Sequence, residues 1–131
     1  MGVPTLTTGV TMGQALRRVT ENRPRQEALV CGSLRLTYGQ LQEWVDQAAV
    51  GLARLGVGKG DRVALWLPPG APFIALFFAA AERGMVAVPI DPIVQPQRVA
   101  YMVEQTTPAA LVAHGPLPPE VVQALGGSVP V

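Results

Sequence analysis

Between Gly60 and Pro92 the chain reads GDRVALWLPPGAPFIALFFAAAERGMVAVPIDP, and this run leaves few folds open. Arg62 to Leu67 is an apolar segment of strand length, closed by Pro68-Pro69-Gly70, which cannot continue a sheet ladder. Ala71 to Arg83 then reads as a helix. Pro72 suits its first turn, where the missing N–H would be unpaired anyway, and Gly84 suits the left-handed position just past its end. Met85 to Ile90 is a second strand run, stopped by Asp91-Pro92. Neither strand alternates, so both are expected to be covered on two faces, as in a parallel sheet. The helix between them is apolar nearly all round and is expected to be deeply buried. It is far shorter than the ~20 residues a membrane span needs.

The flanking sequence extends this unit. Residues 1–10 read as an irregular leader, followed by an α/β portion over 11–131. Thr11 and Gln14 have capping-box spacing ahead of a helix with Met12, Ala15, Leu16 and Val19 on one face, which stops before Pro24. Ala28 to Cys31 and Leu34 to Leu36 form a hairpin about Gly32-Ser33. Thr37 and Gln40 make a second capping box, with Leu36 and Leu41 placed as a hydrophobic staple. In the next helix Leu41, Trp44, Val45, Ala48, Ala49, Leu52 and Leu55 hold one face, Gly56 caps the end, and Val57 can pack back on Leu52. Pro96 opens a helix with Val99, Met102 and Val103 on one side, Ala109 to Ala113 is a third strand, and Pro118-Pro119-Glu120 starts a short helix capped by Gly126. Ser128 to Val131 begins like a fourth strand. Strands alternating with helices predict a mostly parallel sheet, with the three strands from Arg62 onward parallel to one another.

The totals narrow the function classes. With 131 residues the chain is long enough for one domain with a real core. Net charge is +1 with scattered basic residues, which is no nucleic-acid footprint. Charged residues make up 15%, against about 25% in a typical soluble domain, so some surface is expected to be covered by more protein. The single Cys31 excludes an internal disulfide and offers no metal spacing. A basic region followed by an apolar run is missing near Met1, and Leu6 stands where a myristoylation motif wants Ser or Thr, so a cytoplasmic location is expected.

Candidate chemistry is sparse. In Gly56-Val57-Gly58-Lys59-Gly60-Asp61 the Gly-Lys pair is followed by Gly rather than Ser or Thr. The run also leaves a helix and enters a strand, the reverse of a phosphate loop, so it reads as a helix cap and turn. Asp91 follows a buried strand, where ligands of open α/β sheets bind, but Asp before Pro is a turn starter. His114 also follows a strand and has no assignable nucleophile, so it reads as a loop histidine. Cys31 reads as a small core residue. Trp44, Trp66, Phe73, Phe77 and Phe78 read as core, because no basic residues interleave with them as a nucleic-acid stacking platform requires. Glu43, Asp46, Glu82 and Glu104 read as solvated helix faces. No catalytic, cofactor-binding or metal-binding residue is assigned.

Four segments resemble one family. Leu36-Thr37-Tyr38-Gly39-Gln40-Leu41 is similar to the "(L/F)TY-x-E-L" opening of the AMP-forming acyl-CoA synthetases and their adenylate-forming relatives. LARLGVGKGDRVALWL from Leu52, the Phe73 to Pro92 segment, and RVAYMVEQTTPAALVA from Arg98 follow in the family's order. Gln40, Arg83 and Met85 depart from its usual residues without disturbing the fold. The resemblance implies the N-terminal portion of an enzyme in which a carboxylate attacks the α-phosphate of ATP with Mg²⁺, giving acyl-AMP and releasing pyrophosphate. A thiol such as CoA then takes the acyl group. ATP, Mg²⁺ and CoA are implied for the full-length enzyme and none for this chain, because the family's Ser/Thr/Gly-rich loop and later motifs lie outside it. The implied partner is the remainder of the parent enzyme, and the exposed apolar surface implies self-association. Two other readings fit the residues: a non-catalytic α/β interaction module, and part of a peptide-synthetase adenylation domain.

Overall fold

The computed structural model describes residues 12–126. Thr11 of the first capping box, the leader and the strand-like run from Ser128 lie outside those residues. The element order is α1 (Met12–Asn22), β1 (Glu27–Cys31), β2 (Leu34–Thr37), α2 (Tyr38–Arg54), β3 (Arg62–Trp66), α3 (Ala71–Glu82), β4 (Val86–Ile90), α4 (Pro96–Thr106), β5 (Ala110–Ala113) and α5 (Pro119–Ala124). The expected elements form within one or two residues of their anticipated ends. β1 and β2 pair antiparallel across Gly32-Ser33, with a bulge between Glu27 and Leu29.

β3, β4 and β5 form one parallel sheet in the order β4-β3-β5. Val63 pairs with Ala87 and Ala110, and Trp66 with Ile90 and Ala113. Successive side chains point to opposite faces, and the two faces carry separate cores. Val63, Leu65 and Ala110 join Leu16 of α1, Leu41, Val45, Ala49 and Leu52 of α2, and Ala75, Ala79 and Ala80 of α3. Ala64, Ile90 and Leu111 join Val99 and Val103 of α4 and Val121 of α5. Helices thus cover both faces, which is the layered arrangement expected of alternating strands and helices.

The helix ends follow their local chemistry. Thr37 Oγ1 accepts from the Gln40 N–H at 3.2 Å, and the Thr37 N–H donates to Gln40 Oε1 at 2.9 Å, completing the capping box of α2. At the other end the Gly56 N–H reaches the Ala53 carbonyl and the Val57 N–H reaches the Leu52 carbonyl, a Schellman closure. Gly56 sits at φ +81°, where a Cβ would be unfavourable.

Several burial expectations are corrected. Only β3 is buried through its middle. β4 is an edge strand, with Val86 49% exposed and Pro89 exposed, a position where proline's missing donor is tolerated. α3 is buried on one face only, by Ala71, Ala75, Ala79 and Ala80, while Phe73, Ile74, Leu76, Phe77 and Phe78 stay half-buried. Of the anticipated face of α1, Leu16 is buried but Met12, Ala15 and Val19 are exposed. Cys31 is half-buried on the hairpin, not in the core, where the two-stranded ribbon packs against α2. Glu82 is not a solvated residue: its side chain keeps 13% of its exposure and pairs with Arg17 of α1 at 2.7 Å.

Candidate functional site

In an open α/β sheet, ligands bind in the crevice beyond the carboxyl ends of the strands, where neighbouring connections leave toward opposite faces. That condition is met at the end of β3. Its connection runs to α3 on one face, while those of β4 and β5 run to α4 and α5 on the other. Two cavities flank this point. One of about 300 Å³ is lined by Trp66, Pro68, Pro92, Ala113, His114, Pro116 and Pro118. The other, of about 290 Å³, lies between the ends of β3 and β4 and includes Leu67, Phe73, Ile90 and Asp91.

The lining decides what these cavities can hold. Trp66 ends β3 half-buried beside Ile90 and Ala113, so its indole forms a wall rather than a core plug. The sequence signal for this was its position near the end of the strand run, two residues before Pro68-Pro69-Gly70. His114 is exposed and lies one residue past β5, in the first cavity. Asp91 is exposed, and its Oδ1 accepts the Ile93 N–H at 3.0 Å while its carbonyl accepts the Val94 N–H. Its carboxylate therefore braces the turn that starts α4, as its place before proline suggests. The sheet brings His114 and Trp66 together and sets Asp91 in the adjoining cavity.

Four of the seven residues around the first cavity are prolines, which have no N–H to offer an anion, and no Lys or Arg borders either cavity. Among the described residues no three His, Cys, Asp or Glu side chains gather as a metal site. Gly58 to Asp61 lies at the opposite edge, feeding β3. There the Gly58 N–H donates to Asp61 Oδ2 at 2.8 Å and the Gly60 N–H donates to the Gly84 carbonyl at 2.8 Å. It is a turn, as its context indicates. Among the described residues no helix is long and apolar enough to cross a membrane.

A polar cluster that sequence reasoning missed joins three helices. Arg17 of α1 donates from Nε and Nη2 to Glu82 Oε1 of α3, and from Nη2 to Asp46 Oδ1 of α2. Gln42 of α2 donates from Nε2 to Asp46 Oδ1 and Glu82 Oε2, both at 3.1 Å. The hydrogen bond to Glu82 raises the Arg17 pKa above its ordinary value, so the guanidinium is charged at any working pH. Only the i, i+4 spacing of Gln42 and Asp46 was visible in the sequence.

Comparison with known proteins places this architecture. Residues 16–129 match the AMP-binding enzyme family. The chain is 38% identical over 104 residues to a mitochondrial medium-chain acyl-CoA ligase of Pongo abelii, covering 78% of this chain and 17% of that protein. It is 33% identical over 121 residues to a putative acyl-CoA synthetase of Bacillus subtilis, covering 88% of this chain and 22% of that protein. The N-terminal domain of FACL13 from Mycobacterium tuberculosis superposes with a TM-score of 0.77 at 30% identity, over 89% of this chain and 29% of that one. The chain thus spans about a fifth of the relatives it matches. With the four sequence segments, the parallel sheet and the hairpin all in the family's order, the chain belongs to the AMP-binding enzyme family.

Proposed function

We propose that residues 11–131 form the N-terminal portion of an ATP-dependent carboxylic acid–CoA ligase, and that this portion is inactive alone. The observation carrying the proposal is the family match through residues 16–129, in a chain that spans only 17–22% of acyl-CoA ligase relatives. Acyl-AMP chemistry needs cationic and N–H groups around the phosphates, and no Lys or Arg lines the proline-rich crevice beyond β3. In this reading ATP, Mg²⁺ and CoA belong to the whole enzyme, and the portion supplies a sheet and helices against which the remainder packs. Carboxylate-dependent pyrophosphate exchange tests the proposal over a panel of fatty, aromatic and amino acids. The 131-residue chain is expected to stay at background, and a longer protein carrying a downstream Ser/Thr/Gly-rich loop ending in Lys is expected to exchange. Reproducible exchange by the chain alone would overturn the inactive part of the proposal. A coding sequence that stops after Val131 would overturn the enzyme reading in favour of an interaction module.

A further inference from the structure

The solvent-facing edge of the sheet is β4, and its backbone is unevenly equipped for pairing. The Val86 N–H donates to the Asp61 carbonyl at 2.8 Å, which fixes the phase of the ladder with β3. Alternate residues of a strand turn their peptide groups to opposite edges. Val88 and Ile90 therefore also bond toward β3, while Ala87 and Pro89 face away. Pro89 has no N–H to offer there. The preceding outward donor, the Met85 N–H, is turned back onto the Ala80 carbonyl at 2.9 Å, where it closes the end of α3. From Met85 to Ile90, Ala87 alone presents an N–H to the open edge. Nothing else in the strand resists pairing: Val86–Ile90 carries no charge, and Val86, Val88 and Ile90 are β-branched, the composition that adds readily to other strands. The sheet's other outer strand, β5, has no proline, and its Ala110 and Leu111 are buried. The proline thus stands on the edge that solvent reaches.

We propose that Pro89, with the Met85 N–H withdrawn into the end of α3, blunts the β4 edge against strand addition by a second copy of the chain. A full ladder needs both a donor and an acceptor at every second residue. A partner strand here meets outward carbonyls at Ala87 and Pro89 but a single N–H. Backbone pairing is confined to the neighbourhood of Ala87, and contact between copies is left mainly to side chains such as Val86. The inference concerns the edge alone and does not depend on the enzyme assignment.

Pro89→Ala tests this, because it supplies the missing donor while trimming apolar surface. Association limited by donors and association through apolar contact therefore move in opposite directions. Light scattering over a dilution series is expected to show the folded variant associating at about tenfold lower concentration than the unaltered chain, since each copy gains one ladder hydrogen bond. Pro92→Ala, the same change beyond the end of β4, is expected to leave the onset where it is. An onset for Pro89→Ala that is unchanged or higher, or an equal shift with Pro92→Ala, would overturn the proposal. A second measurement uses the unaltered chain and does not depend on the variant folding. At high dilution the Ala87 amide is expected to exchange hydrogen about a hundredfold faster than the Val88 amide, which the ladder with β3 protects. Equal protection of the two amides would show that the edge is not open at Ala87 and would overturn the proposal as well.

Discussion

At the scale of single residues, Thr107 bears the clearest strain. It ends α4 at φ +44° and ψ +59°, the left-handed region, with its N–H donating to the Val103 carbonyl at 2.8 Å. Among the described residues it is the only non-glycine with positive φ, and its β-branched side chain suits that region poorly. Its neighbours hold it there. Arg62 Nη1 donates to the Thr106 carbonyl at 2.9 Å, and the Ala109 N–H donates to the Arg62 carbonyl at 2.8 Å. These bonds set where β5 begins beside β3. Replacing Thr107 with Gly should relieve the strain and stabilise the chain by about 0.5–1 kcal/mol, less the extra entropy of a glycine in the unfolded state. A rise in the urea midpoint would show this. Thr107→Val, which keeps the branch, should give no rise.

Elements differ in how they are fixed. α2 carries its own start, stop and buried stripe, with Leu41, Val45, Ala49 and Leu52 buried between a capping box and a Schellman end. Removing the hydroxyl in Thr37→Ala should therefore cost about 1 kcal/mol, while Thr37→Ser should be close to neutral. Chemical denaturation of the two variants makes the comparison, and equal losses would show that Thr37 acts through packing instead. α3 is fixed differently. It has no side-chain cap, its close contacts are alanines, and its aromatic face is half-covered. Phe73 and Phe77 stack with centroids 6.2 Å apart, and Phe77 meets Phe78 edge-on at 6.1 Å. Neighbours, rather than its own sequence pattern, decide which side of such a helix is inside.

For the whole molecule, the open side of the sheet and the half-covered aromatics imply association. β4 is an edge, Val86 on it is 49% exposed, and Ile93 just beyond is 83% exposed. Open edges pair with other chains, and apolar patches find partners. Each 100 Å² hidden would contribute about 2.5 kcal/mol before association costs. The 131-residue chain is thus expected to self-associate, giving a mass that rises with concentration in light scattering. Val86→Lys, a charge on the edge, should lower that mass. A monomer at all concentrations that binds no hydrophobic dye would point instead to a self-contained module.

Local chemistry was legible from the residues alone. Caps at Thr37 and Gly56, the Pro-Pro-Gly stop after Leu67, and the apolar strand runs each act over a few residues, so the sequence by itself determined the element order and a parallel sheet. It also identified Gly56 to Asp61 as a turn and Asp91 as a turn brace, because both depend on neighbours in the chain. Tertiary structure alone decided the rest. Strand order β4-β3-β5 puts β4 at an edge, with Val86 and Pro89 exposed, although its residues are as apolar as those of β3. Trp66 and His114 share a crevice because β3 and β5 end side by side. Arg17, Gln42, Asp46 and Glu82 meet from three helices, with Arg17 and Glu82 separated by 65 residues. Burial and long-range pairing depend on what packs from elsewhere in the chain, and no local pattern encodes that.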